Sequence, residues 1–377
     1  MRFALYQTRI WFGLMAFLTL LNLSCQKQTS GWKGSIERRG GVTIVKNPKT
    51  PLYGPEIFGI KKDLTIGKAE GEKEYIFSDI TGIDVDGDGN IYIIDRAEAQ
   101  VRVFDKTGRF LRTIGRKGQG PGETQMPGFV QITSKNEVFV YDYTGRAVFY
   151  SLAGSFLRQI PTGLILQPLK LDSQGYLTGI AESSPPPLGG KKLKRYDPAF
   201  NLLGTLATEE QGQPRVFDIG RPVLYCCAAP DDHIVWGNSG KYLLNVLNER
   251  GELVKTIERD YDPVPITSND RETFRKKYEE PLKAGLKISF RDHFPAFGAI
   301  SADDAGRIFV KTYERAEGPG YLYYYDVFDS DGRYIAKVLS RVELNRDCVW
   351  KNHKLYAIES EEQGFPVVNR YDVSWKK

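Results

Sequence analysis

One pattern recurs down this chain: a tight turn rich in Asp, Asn and Gly, a short alternating strand, a polar connection, another strand, and a second tight turn. Its clearest copy is DVDGDGNIYIIDRAEAQVRVFDKTGRFLRTIG, from Asp84 to Gly115. There Asn90–Ile94 and Val101–Phe104 flank a polar connection, Asp105-Lys106-Thr107-Gly108 turns into Phe110–Ile114, and Ile80–Val85 supplies a strand upstream. Period-two alternation bounded by turn residues predicts four short antiparallel strands. The first turn and its following strand return from Ser134, Asp172, Pro230, Asp303 and Lys351. The second turn and the strand before it return from Val148, Lys194, Leu244 and Tyr325. The last copy stops early, at Val368–Val373.

A unit of this size cannot bury its apolar face alone, so its copies must stack. Four strands in a repeat of about 40–50 residues predict an all-β fold, a six-bladed β-propeller. Its 21 Tyr, 20 Phe and 38 Gly, with little helical periodicity, point the same way. A ring whose sixth blade lacks an outer strand would leave a bare edge. The orphan alternating segment Lys62–Gly67 is predicted to pair there and close the ring. Trp32–Val45 reads as a small hairpin around Arg39-Gly40-Gly41, lying outside the propeller. The expected division is a signal peptide over 1–24, a tether and hairpin over 25–56, and the propeller over 57–377. A helical insertion is expected at about 260–295, capped by Asn269 with Glu272 at its third position and limited by Pro281. This insertion is placed over the central channel as a lid.

The first copies resemble NHL repeats, and residues 57–377 resemble the bacterial six-bladed β-propeller lipoproteins, an NHL/TolB-like architecture. The family's Asp after the second strand is matched by Asp95 and Asp142, while its usual Asn and Arg are replaced by Glu98 and Gln100. What such proteins bind varies, so the resemblance implies architecture and little function.

Arg2 and Arg9 precede an apolar run, Trp11–Leu23, too short to span a bilayer comfortably. Leu21-Asn22-Leu23-Ser24-Cys25 resembles a lipobox with Asn22 where Leu is usual, so Cys25 is the expected lipidation site. An extracytoplasmic chain, held at the bacterial cell envelope by an N-terminal lipid, is expected. The three other cysteines, Cys226, Cys227 and Cys348, make no disulfide framework; the neighbours read as small buried strand residues or as a vicinal bridge. A formal net charge of +5 is too mild to imply nucleic acid as a partner.

Asp84, Asp86 and Asp88 fall in an EF-hand-like spacing, but no helix flanks them and the other copies lack the carboxylate triad. Two readings stand: a turn built from Asp, Asn and Gly for backbone reasons, or a calcium loop; no other cofactor is expected. The spacing between copies is shortest from Glu137 to Tyr176 and longest from His233 to Arg307. Because both tight turns keep their length, the variation falls in the connections of the opposite face, where binding is usually built. That face is expected to carry Gly115–Glu123, Ser183–Lys194, Glu314–Gly320, Glu359–Gly364 and the insertion. Among its residues, Arg116, Lys117, Lys191, Lys192, Arg275, Lys276, Arg291 and His293 suit an acidic glycan or an envelope protein. The plainer reading is that these charges solvate loops.

The expected function is therefore a binding or scaffold module. The alternative is a metal-dependent hydrolase or lyase, lactonase-like, working at the central channel. His233 and His353 fall in tight turns away from the variable face, so three-His zinc chemistry lacks its ligands. The inner strands are predicted to begin near Asp79, Phe129, Pro168, Tyr225, Phe297 and Asp347, which would gather Asp79, Tyr225, Arg346 and Asp347 at the channel mouth. No catalytic residue is assigned.

Overall fold

A computed structural model describes residues 31–164, 166–182, 190–210, 212–213, 215–315 and 322–376. The expectations for the signal peptide, for Cys25, and for parts of two variable loops (183–189 and 316–320) lie outside the described residues. The chain divides into two compact units, residues 1–32 and 33–377, and the propeller belongs to the second.

Blade 1 is the predicted meander, with strands Ile80–Val85, Ile91–Asp95, Gln100–Phe104 and Phe110–Ile114 paired in that order. Five further blades repeat it, beginning with the inner strands Pro127–Ile132, Gln167–Leu171, Leu224–Ala228, Ala299–Ala302 and Val349–Lys351. The second strand of blade 1 is buried at every position, because apolar seams press on both of its faces. Six such seams, one between each pair of neighbouring blades, make up the core. Cys226 and Cys227 are free thiols on opposite faces of one strand, Cys226 in the seam with blade 3 and Cys227 in the seam with blade 5.

The turn chemistry is as regular as the strands. The Asp86 carboxylate accepts the amides of Asp88 and Asn90 at 3.0 and 2.8 Å, and Asp172 and Asp303 cap their own turns in the same way. Asp105, Asp197 and Asn248 do so in the second turns. A short side-chain acceptor satisfies two backbone donors that a tight turn would otherwise leave unpaired.

The ring closes as predicted. Phe58–Ile66 pairs antiparallel with Pro366–Trp375, setting Leu64 opposite Arg370 and Ile66 opposite Val368. The hairpin around Gly40 and Gly41 also forms, both glycines taking positive φ, but it does not lie outside the propeller. Val42–Asn47 pairs parallel with Leu253–Arg259, so blade 4 carries two extra strands. Alternation identifies a strand but not its partner, and a parallel neighbour more than 200 residues away leaves no local signature. Between these two pairings, the amides of Leu52 and Tyr53 bond to the carbonyls of Tyr334 and Ile335 on the outer strand of blade 5. Asn47 adds bonds from its side chain to the Gly332 carbonyl at 2.9 Å and from the Tyr334 amide at 2.7 Å. The N-terminal segment thus belts the rims of blades 4, 5 and 6.

The insertion holds two helices, Ser268–Lys277 and Glu279–Lys283. Its cap is Thr267 rather than Asn269, with Asp270 completing the capping box. The first helix stops four residues before Pro281, which has no N–H to offer the Lys277 carbonyl. Lys287–Phe290 then pairs parallel with Val216–Ile219, and Phe294 stacks on Tyr313 of blade 5 at 4.8 Å.

Ile66 is 1% exposed and packs in the seam between blades 6 and 1. Ile66→Ala is expected to cost about 2–4 kcal/mol in urea unfolding. A loss below about 1 kcal/mol would show that the seam tolerates a missing closing side chain.

Candidate functional site

The six inner strands surround a central channel of about 840 Å³ that receives residues from every blade. At the end where these strands begin, Arg96, Tyr143, Gln167, Arg346 and Asp347 line the wall. Arg96 is held by Asp79, with its Nε donating at 2.8 Å. Arg346 donates to the Gln167 side chain and stands 3.6 Å from Asp347. Arg96 is thus fixed beside its own blade, while Arg346 reaches across the mouth to Gln167 of blade 3.

Of the residues expected at this mouth, Arg346 and Asp347 line it, Asp79 stands behind Arg96, and Tyr225 is not in the lining. Tyr225 packs on Phe297 at 5.9 Å and hydrogen-bonds Tyr313, where burial raises its hydroxyl far above the usual tyrosine range. Arg96, Tyr143 and Gln167 were missed because no local motif marks them; ring closure alone brings them together. No residue of the insertion lines the channel, so the lid expectation is corrected. Its aromatic face is taken instead by Tyr313 and by the sheet against Phe217, whose ring lies 4.4 Å from that of Tyr278.

The basic residues of the variable face are spread over several blades, and most have local partners. Arg116 pairs with Glu123 at 2.8 Å, Lys276 with Glu272 at 2.8 Å, and Arg291 with Asp218 at 3.0 Å. Arg275 lies over the Phe290 ring, and His293 meets Pro265 through a backbone bridge. Lys117 bridges to Thr124 through its backbone, drawn into the turn that Glu123 closes. Lys191 and Lys192 were expected in a loop but belong to the strand Lys191–Tyr196, with Lys191 set 6.0 Å from the Tyr225 ring.

The Asp84, Asp86 and Asp88 carboxylates do not share one set of partners. Asp86 is engaged by Asp88, Asn90 and the Tyr92 hydroxyl, whereas Asp84 turns into the channel and Asp88 is exposed. Among the described residues, no group of three or more His, Cys, Asp or Glu is placed to hold a metal ion. Asp95 and Asp142 are each paired with an arginine, Arg102 at 3.0 Å and Arg146 at 2.8 Å. Burial works against the Asp142 charge, but the Gln125, Thr144 and Met126 amides overcome it and hold the carboxyl below its usual range.

Asp84 behaves in the opposite sense. Burial in the channel wall pushes its carboxyl up to about 6, against the pull of the Ile132 and Val85 amides and of Lys351 and Lys170. The ionised form is the disfavoured one, so its penalty is full above that value and gone near pH 4, where the unfolded chain also takes up the proton. Asp84→Asn removes that charge and one of the two amide acceptors, so its stability relative to the parent is expected to rise by about 1–2 kcal/mol from near pH 4 to near pH 7.5, a figure reduced for channel water. Urea unfolding at the two pH values measures this. A relative stability that fails to rise between the two pH values would show that the carboxylate is held favourably after all.

Residues 69–182 match the model of a family described as a 6-bladed beta-propeller. No curated protein matches the sequence. The fold is similar to that of a candidate exported protein from Bacteroides fragilis, at 14% identity, covering 89% of this chain and 100% of that one, with a TM-score of 0.50. It is also similar to a protein from Bacteroides vulgatus, at 10% identity, covering 85% of this chain and 100% of that one, with a TM-score of 0.50. At these identities the likeness concerns the fold alone. The chain is a six-bladed β-propeller, closed by its own N-terminal strand around a polar channel.

Proposed function

We propose that this propeller is an extracytoplasmic binding module, lipid-anchored through Cys25, that takes a carboxylate-bearing ligand such as an acidic glycan at the mouth of its channel. The observation that carries this reading is the pair of guanidinium groups at Arg96 and Arg346, each held by an acceptor and both lining the mouth beside Tyr143. An arginine held in place by an acceptor loses little freedom on meeting a carboxylate, and its planar fork suits that group. The cations of the variable face are weaker candidates, since Arg116, Lys276 and Arg291 do not line the channel, whereas Arg96 and Arg346 both do. Export is supported by the basic and apolar N-terminus, and the Bacteroides fragilis relative is itself named as a candidate exported protein.

Calorimetric titration with acidic oligosaccharides and with neutral ones of equal length tests the ligand class. Arg346→Ala and Arg96→Ala are each expected to weaken acidic-ligand binding about tenfold or more. The Arg275→Ala/Lys276→Ala double variant should stay within about twofold of the parent. Equal binding of neutral and acidic ligands would remove the proposal, as would a loss confined to the double variant. For the anchor, Cys25→Ala is expected to move the protein from the membrane fraction to the soluble one. Unchanged membrane association would place the attachment elsewhere.

A further inference from the structure

The channel has a second charged end. Where the inner strands run into their tight turns, Lys170 of blade 3 and Lys351 of blade 6 line the wall together with Asp84 of blade 1. Blades 3 and 6 face each other across the ring, so the two ammonium groups approach from opposite sides. Lys170 leans on Asp232 of blade 4 at 3.3 Å. Lys351 has no carboxylate within ion-pair distance among the described residues, and it is half-buried. An ammonium group held partly out of water without a counter-charge is costly.

Lys351 acts on the charge of Asp84, but the geometry of that carboxylate serves another purpose. Its two oxygens accept the Val85 amide at 2.8 Å and the Ile132 amide at 2.5 Å, tying blade 1 to blade 2. Neither lysine reaches ion-pair distance from it, though both act on its charge. The remaining carboxylates facing this end are Asp86 and Asp303, both engaged in their own turns, and the exposed Asp304 of blade 5, which accepts the His353 amide at 3.4 Å. Lys170, shared with Asp232, and Lys351 therefore line a water-accessible space from opposite blades, with Asp84 in the wall between blades 1 and 2 and its oxygens turned to two amides.

We propose that this end of the channel is a binding site for a compact, doubly charged oxyanion, held between Lys170 and Lys351, and that protonation of Asp84 opens the site to it. An ionised Asp84 repels the anion and draws on both lysines. A neutral Asp84 keeps a carbonyl oxygen for one of the two amides and leaves the lysines to the ligand. The site stands apart from the arginines of the mouth, so either reading can fail without the other.

Sulfate is a suitable probe, because its own charge does not change between about pH 5 and about pH 7.5, leaving the protein as the source of any pH effect. Calorimetric titration of the full mature chain is expected to give about tenfold tighter sulfate binding near pH 5 than near pH 7.5, the effect of removing one neighbouring charge. Asp84→Asn should bind tightly at both pH values, and Lys170→Met/Lys351→Met at neither. Acetate should bind at least tenfold more weakly than sulfate, a single charge meeting two cations. Any of four results overturns the proposal: no sulfate binding, binding indifferent to pH, binding that survives the double lysine variant, or acetate binding as tightly as sulfate. Loss of sulfate binding on Arg346→Ala in place of the lysine variant would assign it to the mouth instead and overturn it equally. Because Asp84→Asn keeps an acceptor for one of the two amides, thermal unfolding of that variant separates a binding effect from a folding one.

Discussion

Everything in this molecule depends on one antiparallel seam, where Phe58–Ile66 meets Pro366–Trp375. Six blades place six inner strands around a channel only if the circle is complete, and a sheet left open at its last edge would splay. Side chains reinforce the backbone ladder there: Asp63 accepts from Arg370 at 2.9 Å and from Lys354 at 2.7 Å, while Thr65 donates to Asn369 at 2.7 Å. Trp375 and Phe58, 4.9 Å apart, carry the seam on into the core between blades 5 and 6. The channel residues have no other means of meeting, since Arg96 and Arg346 are 250 positions apart in the chain.

The sequence told the fold well because the fold is local repetition. Alternation, turn residues and the early stop of the last copy are all features of short windows, and each led to a strand, a turn or a missing edge that the structure contains. The hairpin's destination was not legible, since Val42–Asn47 is an ordinary alternating strand whose partner edge exists only after blade 4 has formed. The helix cap failed for a different reason. Thr267…Asp270 and Asn269…Glu272 are overlapping boxes of equal local merit, and the structure uses the earlier one, where Arg315 of blade 5 also reaches Asp270.

The candidate site was legible only in part. Arg346 and Asp347 could be placed because they precede an inner strand, whereas Arg96, Tyr143 and Gln167 carry no motif. The Asp-rich stretch admits two readings for a physical reason: its carboxylates resemble a metal loop because turns and metal loops both gather short acceptors. Asp86 uses that capacity on amides of its own turn, and Asp84, in the same stretch, reaches instead to the Ile132 amide of the next blade. One spacing thus hides two unrelated tasks, and only the partner on the neighbouring blade tells them apart.

The belt across blades 4, 5 and 6 also bears on how the chain comes to its final state. The strand that completes the circle is made early, and its partner emerges last, so Thr65 waits for a residue 304 positions downstream. A pairing of that span closes late, and until synthesis ends the waiting strand presents unpaired backbone. Lys61, Lys62 and Asp63 interrupt its apolar pattern with charge, the usual protection of an edge against premature association. Those three residues act in the finished molecule as ordinary surface or seam contacts. In the nascent one they guard an unfinished ring.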